Sequence, residues 1–320
     1  MDKKDTVCAV VVTYNRKRLL LECLEALFEQ TRQLDAIYLV DNASSDGTVE
    51  FLANKGYIEA MPGILSVPME SEKLIGSTKI HYVRMPENTG GSGGFYEGIK
   101  RGYEKGYDWL WVMDDDVLPE VDCLKELMSV WRVIAKKEGT QPSALACARF
   151  YEDGMLAADE AKRLNLTNPF KSLHQKRISV DDLRSAYIVA EGVTFEGLLV
   201  SAPAIAVAGL PNAAFFIYGD DTEYCIRLLS FGAIYYVPTA KMIKMIFTES
   251  LSGLKYSWKK YYMLRNLIFI DLKYAKLLVR IVRVPYQLIK SIIGRVFYGH
   301  FSDIPMIVRS FFDARDITKM

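Results

Sequence analysis

Residues 109–119, WLWVMDDDVLP, place three consecutive aspartates directly after a run of five uncharged residues. The Trp, Leu and Val side chains of this run indicate a buried strand. Three adjacent carboxylates repel one another, so a buried strand that ends in them needs a positive charge nearby. The segment therefore predicts a strand whose carboxyl end forms part of a cation or ligand site.

The sequence before this segment alternates between strand and helix patterns. Apolar, β-rich runs cover TVCAVVVT, AIYLVD and KIHYVR, and segments with helical spacing of apolar residues lie between them. This alternation predicts an α/β fold with a mostly parallel sheet and helices on both faces. We interpret residues 60–78 as a surface excursion and residues 151–190 as loops over the sheet edge.

Polar residues follow each predicted strand. The four clusters are Thr13 to Asn15, Asp41 with Asn42, Asn88 with the glycines after it, and Asp114 to Asp116. In open α/β sheets, ligands bind beyond the carboxyl ends of the strands. The repeated polar ends therefore predict one binding site along a single edge of the sheet.

A glycine-rich segment, ENTGGSGGFYEG at residues 87–98, lies between a predicted strand and a predicted helix. Gly90, Gly91, Gly93 and Gly94 would let the backbone approach a ligand, and the helix N-terminus would favour a phosphate. The segment is not a P-loop, and it lacks the acidic partner of a dinucleotide-binding fold. By itself it is a weak signal, and the alternative is a mobile turn.

The aspartates offer a hard-metal site. Asp114 and Asp116 stand two residues apart, and two carboxylates within reach of one ion suit Mg²⁺ or Mn²⁺. Such an ion can bridge the phosphates of a nucleoside diphosphate. The alternative is a helix N-cap with an acidic first turn, which is possible for Asp116 but does not explain three aspartates in a row.

A second acidic cluster lies in YGDDTEYCIRL, residues 218–228. Asp220, Asp221 and Glu223 precede a predicted helix, and one of them could take a proton from a hydroxyl as a general base. The alternative is a helix cap in which Glu223 pairs with Arg227 one turn later. The spacing alone does not separate these interpretations.

The last 70 residues are strongly basic. After residue 250 there are 13 Lys and Arg against 4 Asp and Glu, whereas residues 1–250 have 27 against 35. We expect a catalytic domain at residues 1–250 and a helical region at 251–320. Lys273, Lys276, Arg280 and Arg283 are spaced for one face of a basic amphipathic helix on anionic lipid, and Pro285 should break or kink that helix. Packing on the protein's own core or on a second subunit is the alternative.

The composition is that of a globular protein with a sizeable core. Half of the residues are hydrophobic, a quarter are charged, and the net charge is +1. The five cysteines are widely spaced, which favours reduced thiols over a disulfide framework or a zinc site. The N-terminal residues lack the pattern of a signal peptide. We therefore expect a cytoplasmic protein, peripheral on the membrane, with no nucleic-acid partner.

Five motifs occur in an order that resembles the family 2 glycosyltransferases with the GT-A fold. They are VVVTYNR, LVDNASSDGT, ENTGGSGGF, VMDDDV and FFIYGDDTEYCIRLLSFG. The resemblance covers roughly residues 7–250. The third and fifth motifs look most like the galactofuranosyltransferase branch, with rhamnosyltransferases as near neighbours, and KKYYMLRNLIF resembles the segment that follows the catalytic domain in that branch.

The resemblance implies a donor-binding role for the first motifs. Thr13, Asn15 and Asp41 would hold the uridine or thymidine of a UDP-sugar or dTDP-sugar. Arg84, Asn88 and the glycines Gly90, Gly91, Gly93 and Gly94 would lie along the diphosphate and sugar, with Asp115 also on the donor side.

The resemblance also implies an inverting reaction. Asp114 and Asp116 would match the metal-binding pair, Asp221 would be the base, and Asp220 and Glu223 would shape the acceptor pocket. The acceptor hydroxyl of a surface polysaccharide or lipid-linked glycan would attack the anomeric carbon directly. UDP-galactofuranose is the favoured donor and dTDP-rhamnose the second.

One departure from the family concerns the third metal ligand. Members often supply a histidine about 20 residues past the helix that carries the base, whereas Lys244 stands near that position here. Water could complete the metal site, or Lys244 could itself neutralise the diphosphate. A GT-A-like binding module without activity and a nucleotidyltransferase are the competing functions, although the first strand lacks the Gly-rich loop that the latter uses.

Overall fold

The structure is a computed structural model that describes residues 5–59, 61, 66–139, 141–245 and 258–317. The strands are β1 (Val7–Thr13), β2 (Ala36–Asp41), β3 (Met69–Ile75), β4 (Thr78–Arg84), β5 (Trp109–Asp114), β6 (Val117–Pro119), β7 (Ala144–Tyr151), β8 (Ala161–Leu164), β9 (His174–Arg177), β10 (Ile188–Ala190), β11 (Leu198–Ser201) and β12 (Ile234–Lys244). The helices are α1 (Lys17–Phe28), α2 (Thr48–Asn54), α3 (Gly90–Glu104), α4 (Cys123–Glu138), α5 (Ala202–Ala208), α6 (Asp220–Leu228), α7 (Trp258–Tyr274), α8 (Leu277–Phe297) and α9 (Ile304–Asp316).

The described strands form one ten-stranded sheet and one small hairpin, β8–β9. Strands β4, β2, β1 and β5 are parallel neighbours at the centre of the large sheet. Antiparallel β3 closes one side, and β11 lies antiparallel between β5 and β7 on the other. The predicted α/β class with a central, mostly parallel sheet is confirmed.

Both faces of the central strands are buried, which explains why they read as continuous apolar runs. In β1, Val7, Ala9 and Val11 pack against the layer that contains α1, α2 and α4. Cys8, Val10 and Val12 point the other way, into the layer that contains α3, α5 and α6. Within the described residues, the central strands are therefore held between two helical layers, and a ligand can reach them at an edge of the sheet.

Helix α3 packs unusually close to β1 because two of its residues are glycines. A Cβ atom at Gly94 would lie 2.5 Å from Val12 Cγ1, and one at Gly98 would lie 2.4 Å from Val10 Cγ1. This close approach places the N-terminus of α3 beside the carboxyl end of β1.

Two loop predictions are wrong in part. Met69–Ile75 form an antiparallel edge strand on β4, although residues 60–78 were expected to be a surface excursion. The strand is polar because it lies at the sheet edge, where Glu72 pairs with Lys79 and Lys105. Residues 151–190 also contain regular structure, namely the β8–β9 hairpin and β10.

The described part of the C-terminal region forms helices α7, α8 and α9, and the four basic residues do not share one helical face. Helix α7 ends at Tyr274, and Lys276 has extended backbone angles immediately before α8. Arg283 is buried and pairs with Asp271, since packing of α8 on α7 turns it inward. The proposed domain boundary after residue 250 lies outside the described residues.

Helix α8 also continues through Pro285 to Phe297, so the predicted break is absent. Proline removes one helical hydrogen bond, which would have ended on the carbonyl of Ile281. Both residues are exposed, so water can satisfy that carbonyl. None of the described helices is both long and apolar enough to cross a membrane.

Candidate active site

Four parallel strands end together at one edge of the sheet. Thr13 lies opposite Asp41, Asp41 lies opposite Arg84, and Asp114 lies opposite Val12. The residues predicted at the four strand ends are thus brought to one edge by the register of the sheet. The order of the strands reverses direction between β1 and β5, which is where open α/β sheets bind their ligands.

The loop after β2 is shaped by Asn15 and Asp41. The buried Asp41 accepts hydrogen bonds from the Tyr82 hydroxyl and, at 2.8 Å, from the Ser44 N–H. Asn15 has a left-handed backbone (φ 56°); its N–H donates to Ser44 Oγ at 2.9 Å, and its Oδ1 accepts from the Ser45 N–H at 2.7 Å. The two residues therefore fix the conformation of the Ser44–Ser45 loop next to the end of β1.

Two asparagines hold the glycine-rich turn before α3. Asn42 Nδ2 donates to Asn88 Oδ1 at 3.1 Å and to the Gly90 carbonyl at 2.8 Å, and the Gly90 N–H donates to Asn88 Oδ1 at 2.8 Å. Gly90 has φ +73°, and a Cβ atom there would lie 2.1 Å from the Phe216 carbonyl oxygen. Only glycine fits at this position.

Packing against neighbouring atoms explains why most of the predicted phosphate-binding positions are glycine. A Cβ atom at Gly93 would lie 2.3 Å from Thr89 Oγ1, and Gly94 is pressed against Val12. Gly91 has room, since the nearest atom to its Cβ position is in the Phe95 ring at 3.9 Å. Packing thus accounts for three of the four glycines, and their contact with a diphosphate stays a prediction.

The three aspartates after β5 have different partners. Thr13 Oγ1 donates to Asp115 Oδ2 at 2.6 Å, and Arg16 Nη1 lies 3.2 Å from Asp115 Oδ1 and 3.1 Å from Asp116 Oδ2. Asp116 Oδ1 is buried and has no hydrogen-bond partner among the described residues. Arg16 was missed by the sequence analysis, although it stands at the end of the first polar cluster.

Burial makes this cluster electrostatically unfavourable without a cation. Burial raises the pKa of Asp114, and the carboxylates of Asp116 and Glu196 raise it further. Burial raises the pKa of Asp115 to about 6, although Arg16 and Thr13 oppose the rise. The pKa of Asp116 is also raised by burial and by Glu196. The unpartnered Oδ1 of Asp116 and the raised pKa values fit a divalent cation held by Asp114 and Asp116.

Lys244 and Glu196 complete the wall beside the aspartates. Lys244 ends β12, opposite Val117, and its positive charge lowers the pKa of Asp116. Its Nζ donates to Glu196 Oε1 at 2.7 Å and to Oε2 at 2.9 Å. Lys244 thus lies close enough for its charge to act on Asp116, and its role beside a diphosphate stays a prediction. Glu196 has no local motif around it and was not identified from the sequence.

A buried arginine supports this pair. Arg149 is fully buried within β7, where it donates to Glu160 Oε1 at 3.0 Å from Nε and at 2.6 Å from Nη2. It also donates to Glu196 from Nη1. A charged residue inside an apolar strand was a usable signal in the sequence, since such groups are buried only when they are paired.

The second acidic cluster begins α6, after Gly219 with φ +79°. Asp221 is partly exposed, and its Oδ1 accepts from the Thr222 N–H at 2.5 Å and from the Thr222 hydroxyl at 3.2 Å. Burial and the neighbouring Asp220 raise the pKa of Asp221 to about 7. A carboxyl group with this pKa is suited to general-base catalysis near neutral pH.

The other two acids of this cluster do not face the same space. Asp220 is buried, and burial raises its pKa. Glu223 pairs with Arg227, with Oε2 2.7 Å from Nη2, and also accepts from the Tyr274 hydroxyl. The Glu223–Arg227 pair of the alternative interpretation is therefore present, although Gly219 and not an acidic side chain occupies the N-cap. A role for Glu223 in an acceptor pocket stays a prediction, since Glu223 does not line the cavity.

Asp221 lines a cavity of about 270 Å³. The lining residues are Asp159, His174, Arg177, Gly192, Val193, Thr194, Tyr218, Gly219, Asp221, Thr222, Met263 and Leu267. Met263 and Leu267 belong to α7, so the C-terminal region supplies the apolar wall of the site. The predicted boundary after residue 250 assigns α7 to a separate region, whereas the structure makes α7 part of this cavity.

A third acidic group, on β3 and β4, does not belong to this site. One carboxylate oxygen of Glu70, one of Glu72 and one ring nitrogen of His81 lie within 4.8 Å of one another. Arg101 pairs with Glu70, and Lys105 pairs with Glu72 at 3.0 Å. These basic side chains already neutralise the carboxylates, so the group needs no metal ion.

The chain is similar to known glycosyltransferases. Residues 8–136 match the family model described as Glycosyl transferase family 2. The chain is 27% identical over 235 residues to the galactofuranosyltransferase GlfT1 of Mycolicibacterium smegmatis, covering 72% of this chain and 68% of the relative. It is 21% identical over 299 residues to the dTDP-rhamnosyl transferase RfbF of Shigella flexneri, covering 89% and 86%.

Among solved structures, the fold is similar to that of GalNAc-T7 with UDP, GalNAc and Mn²⁺. The TM-score is 0.61 at 14% identity, and the alignment covers 100% of this chain but only 58% of that one. This likeness shows a GT-A fold. Together with the family match, it shows that the chain carries a glycosyltransferase domain.

Proposed function

Residues 8–136 belong to glycosyl transferase family 2, and from this premise we propose that the chain is an inverting glycosyltransferase. It moves a sugar from a nucleotide-sugar donor to a hydroxyl of a surface polysaccharide or lipid-linked glycan. UDP-galactofuranose is the favoured donor and dTDP-rhamnose the second, in line with the names of the two relatives. The observation that carries the proposal is Asp221, a carboxyl group with a pKa of about 7 that lines a cavity.

Asp221 acts as the general base in this mechanism. The acceptor hydroxyl enters the cavity and gives its proton to the Asp221 carboxylate. Its oxygen bonds to the anomeric carbon of the donor, while the bond from that carbon to the diphosphate oxygen breaks. The nucleoside diphosphate leaves with the electron pair, and a single displacement inverts the anomeric centre.

Asp114 and Asp116 are the residues that would hold Mg²⁺ or Mn²⁺, with Asp116 Oδ1 free to bind it. When bound, such a cation offsets the negative charge of the departing diphosphate. Arg16 and Lys244 place two further positive charges beside Asp116. Lys244 is the alternative means of neutralising the diphosphate.

We expect Mn²⁺ to strengthen the binding of UDP by at least about tenfold, since the unpartnered carboxylate oxygen needs a cation. Isothermal calorimetry with UDP, with and without Mn²⁺, measures this gain. Asp116→Asn should remove the gain, while Lys125→Gln, on the exposed surface of α4, should keep it. Metal-independent UDP binding that is lost in Lys244→Met would assign the role to the lysine instead.

A donor screen tests the proposed function. Purified protein is given a panel of UDP-sugars and dTDP-sugars with a lipid-linked glycan acceptor, and release of nucleoside diphosphate is measured. The highest release is expected with UDP-galactofuranose. Highest release with dTDP-rhamnose would support the second donor, and tight UDP binding without release from any donor would indicate a binding module.

We also propose that the C-terminal helices lie on an anionic membrane at its cytoplasmic face. Leu278, Ile281, Ile289 and Ile293 are exposed on one side of α8, opposite the buried Val279 and Val284. Further exposed apolar residues are Leu277, Val296 and Phe297 on α8 and its C-terminal end, and Phe170 in the loop of the β8–β9 hairpin. Exposed Arg280 and Lys290 add the positive charge that anionic lipid attracts.

Ile289→Glu combined with Ile293→Glu is expected to weaken binding to phosphatidylglycerol vesicles by about tenfold or more, because both carboxylates would enter the lipid interface. Vesicle cosedimentation measures the effect. Val207→Glu is the matched control, since Val207 is equally exposed on α5. Unchanged cosedimentation together with a smaller particle in gel filtration would show that this face joins two copies of the chain.

A further inference from the structure

We propose that His174, acting through the Thr222 hydroxyl, positions Asp221 for proton abstraction; this inference rests on the proposed function. His174 belongs to the β8–β9 hairpin, which reaches over the cavity from outside the central sheet. Neither His174 nor Thr222 was singled out by the sequence. Both line the same cavity as Asp221.

The three side chains form a continuous hydrogen-bonded row. His174 Nε2 lies 3.1 Å from Thr222 Oγ1, and Thr222 Oγ1 lies 3.2 Å from Asp221 Oδ1. The threonine hydroxyl has one proton to donate. If that proton goes to Asp221, then Thr222 Oγ1 must accept from His174, and this requires the tautomer with its proton on Nε2.

The row determines which oxygen of Asp221 reacts. Both hydrogen bonds that its side chain accepts from the described residues, from the Thr222 N–H and hydroxyl, end on Oδ1. Oδ2 is thereby left for the acceptor hydroxyl in the cavity. Two donors on one oxygen also hold the carboxylate plane in a single orientation, which a bond from one freely rotating hydroxyl would not do.

The charges around the row explain why it is needed. Burial, Asp220 on the same helix and Glu196 before β11 all raise the pKa of Asp221 and so disfavour its ionised form. Thr222 opposes them by donating to the carboxylate. Burial lowers the pKa of His174, Arg177 adds to this effect, and Asp159 opposes it. A neutral imidazole can therefore donate from Nε2 near pH 7 without bringing a second charge into the cavity.

The pH dependence of transfer tests the role of His174. His174→Phe and Thr222→Val remove the row while keeping similar volume, and each should move the acidic limb of kcat/KM upward by about one pH unit. The KM for the donor should not change. His174→Gln and Thr222→Ser retain a donor and should return the limb toward its wild-type position. Gln175→Ala, the neighbouring residue on β9, is the matched control and should not move it.

A uniform loss of activity at every pH in His174→Phe, or an unmoved limb in both disruptive variants, would overturn the role. A readout without turnover separates this outcome from failure of the proposed function. In ¹⁵N spectra of the histidine side chains, His174 should carry its proton on Nε2, and Thr222→Val should reduce that preference. A proton on Nδ1 in the wild type would overturn the inference even if transfer is confirmed.

Discussion

Asp221→Asn is expected to lower the turnover of sugar transfer by about 10²–10⁴-fold, the usual contribution of a general base. The amide has the size of the carboxylate but cannot take the proton of the acceptor hydroxyl. The affinity for UDP should stay unchanged, because Asp221 lies at the start of α6 and not among the strand ends. Single-turnover release of nucleoside diphosphate and calorimetry with UDP measure the two quantities.

Glu223→Gln is the matched control for this variant. Glu223 lies two residues away on the same helix, but its contacts are Arg227 and Tyr274 rather than the cavity. It should lose far less turnover than Asp221→Asn. Retention of more than a tenth of the turnover in Asp221→Asn would place the base elsewhere.

The wild-type pH profile should agree with the same assignment. Burial and Asp220 raise the pKa of Asp221 to about 7, and only the ionised form can accept a proton. The value of kcat/KM should therefore fall as the pH drops below 7, and it should be independent of pH well above 7. An acidic limb near pH 4 would mean that the reacting carboxylate is not buried in this way.

Arg149→Met is expected to reduce the free energy of unfolding by about 3–5 kcal/mol, the cost of leaving buried carboxylates without their partner. The guanidinium is fully buried between Glu160 and Glu196. Methionine keeps much of the apolar stem but supplies no charge or hydrogen bond. Urea unfolding followed by tryptophan fluorescence measures the change, because Trp109 and Trp111 lie in the adjoining sheet core.

Arg163→Met provides the comparison for Arg149. Arg163 pairs with Glu191 at 2.9 Å, but its side chain is 69% exposed, so its loss should cost less than about 1 kcal/mol. Adding Glu160→Gln to Arg149→Met should recover part of the stability, since one unpaired charge is removed. A loss below about 1 kcal/mol in Arg149→Met would show that the buried carboxylates take up protons instead.

The sequence was sufficient for those parts of the site that lie at strand ends. Strand and helix periods are local properties, and polar residues at the ends of parallel strands must meet at one edge. Thr13, Asp41 and Asp114 were therefore placed correctly before any contact was known. Lys244 was identified differently, from the family resemblance, because it stands near the position at which family members supply a histidine.

The sequence was insufficient wherever a residue acts through a distant partner. Glu196 meets Lys244 and Arg149 only because β12, β7 and the start of β11 are neighbours in the sheet. Basic residues in the C-terminal region recur at helical spacing, yet Arg283 is buried against Asp271 because α8 folds back on α7. Helical spacing predicts which residues share a face of one helix, but it does not predict where that helix ends.

The sequence by itself determined the α/β class, the sheet edge at which the polar strand ends meet and the acidic residues at that edge, because local periodicity and chain polarity are sufficient for these. Three features were decided only by the tertiary structure. They are the acid that faces the cavity, the glycines that packing requires, and the position of α7 as a wall of the cavity. These outcomes depend on distances between segments far apart in the chain. Burial then sets the chemistry, since it is the enclosed position of Asp221 beside Asp220 that raises its pKa to about 7.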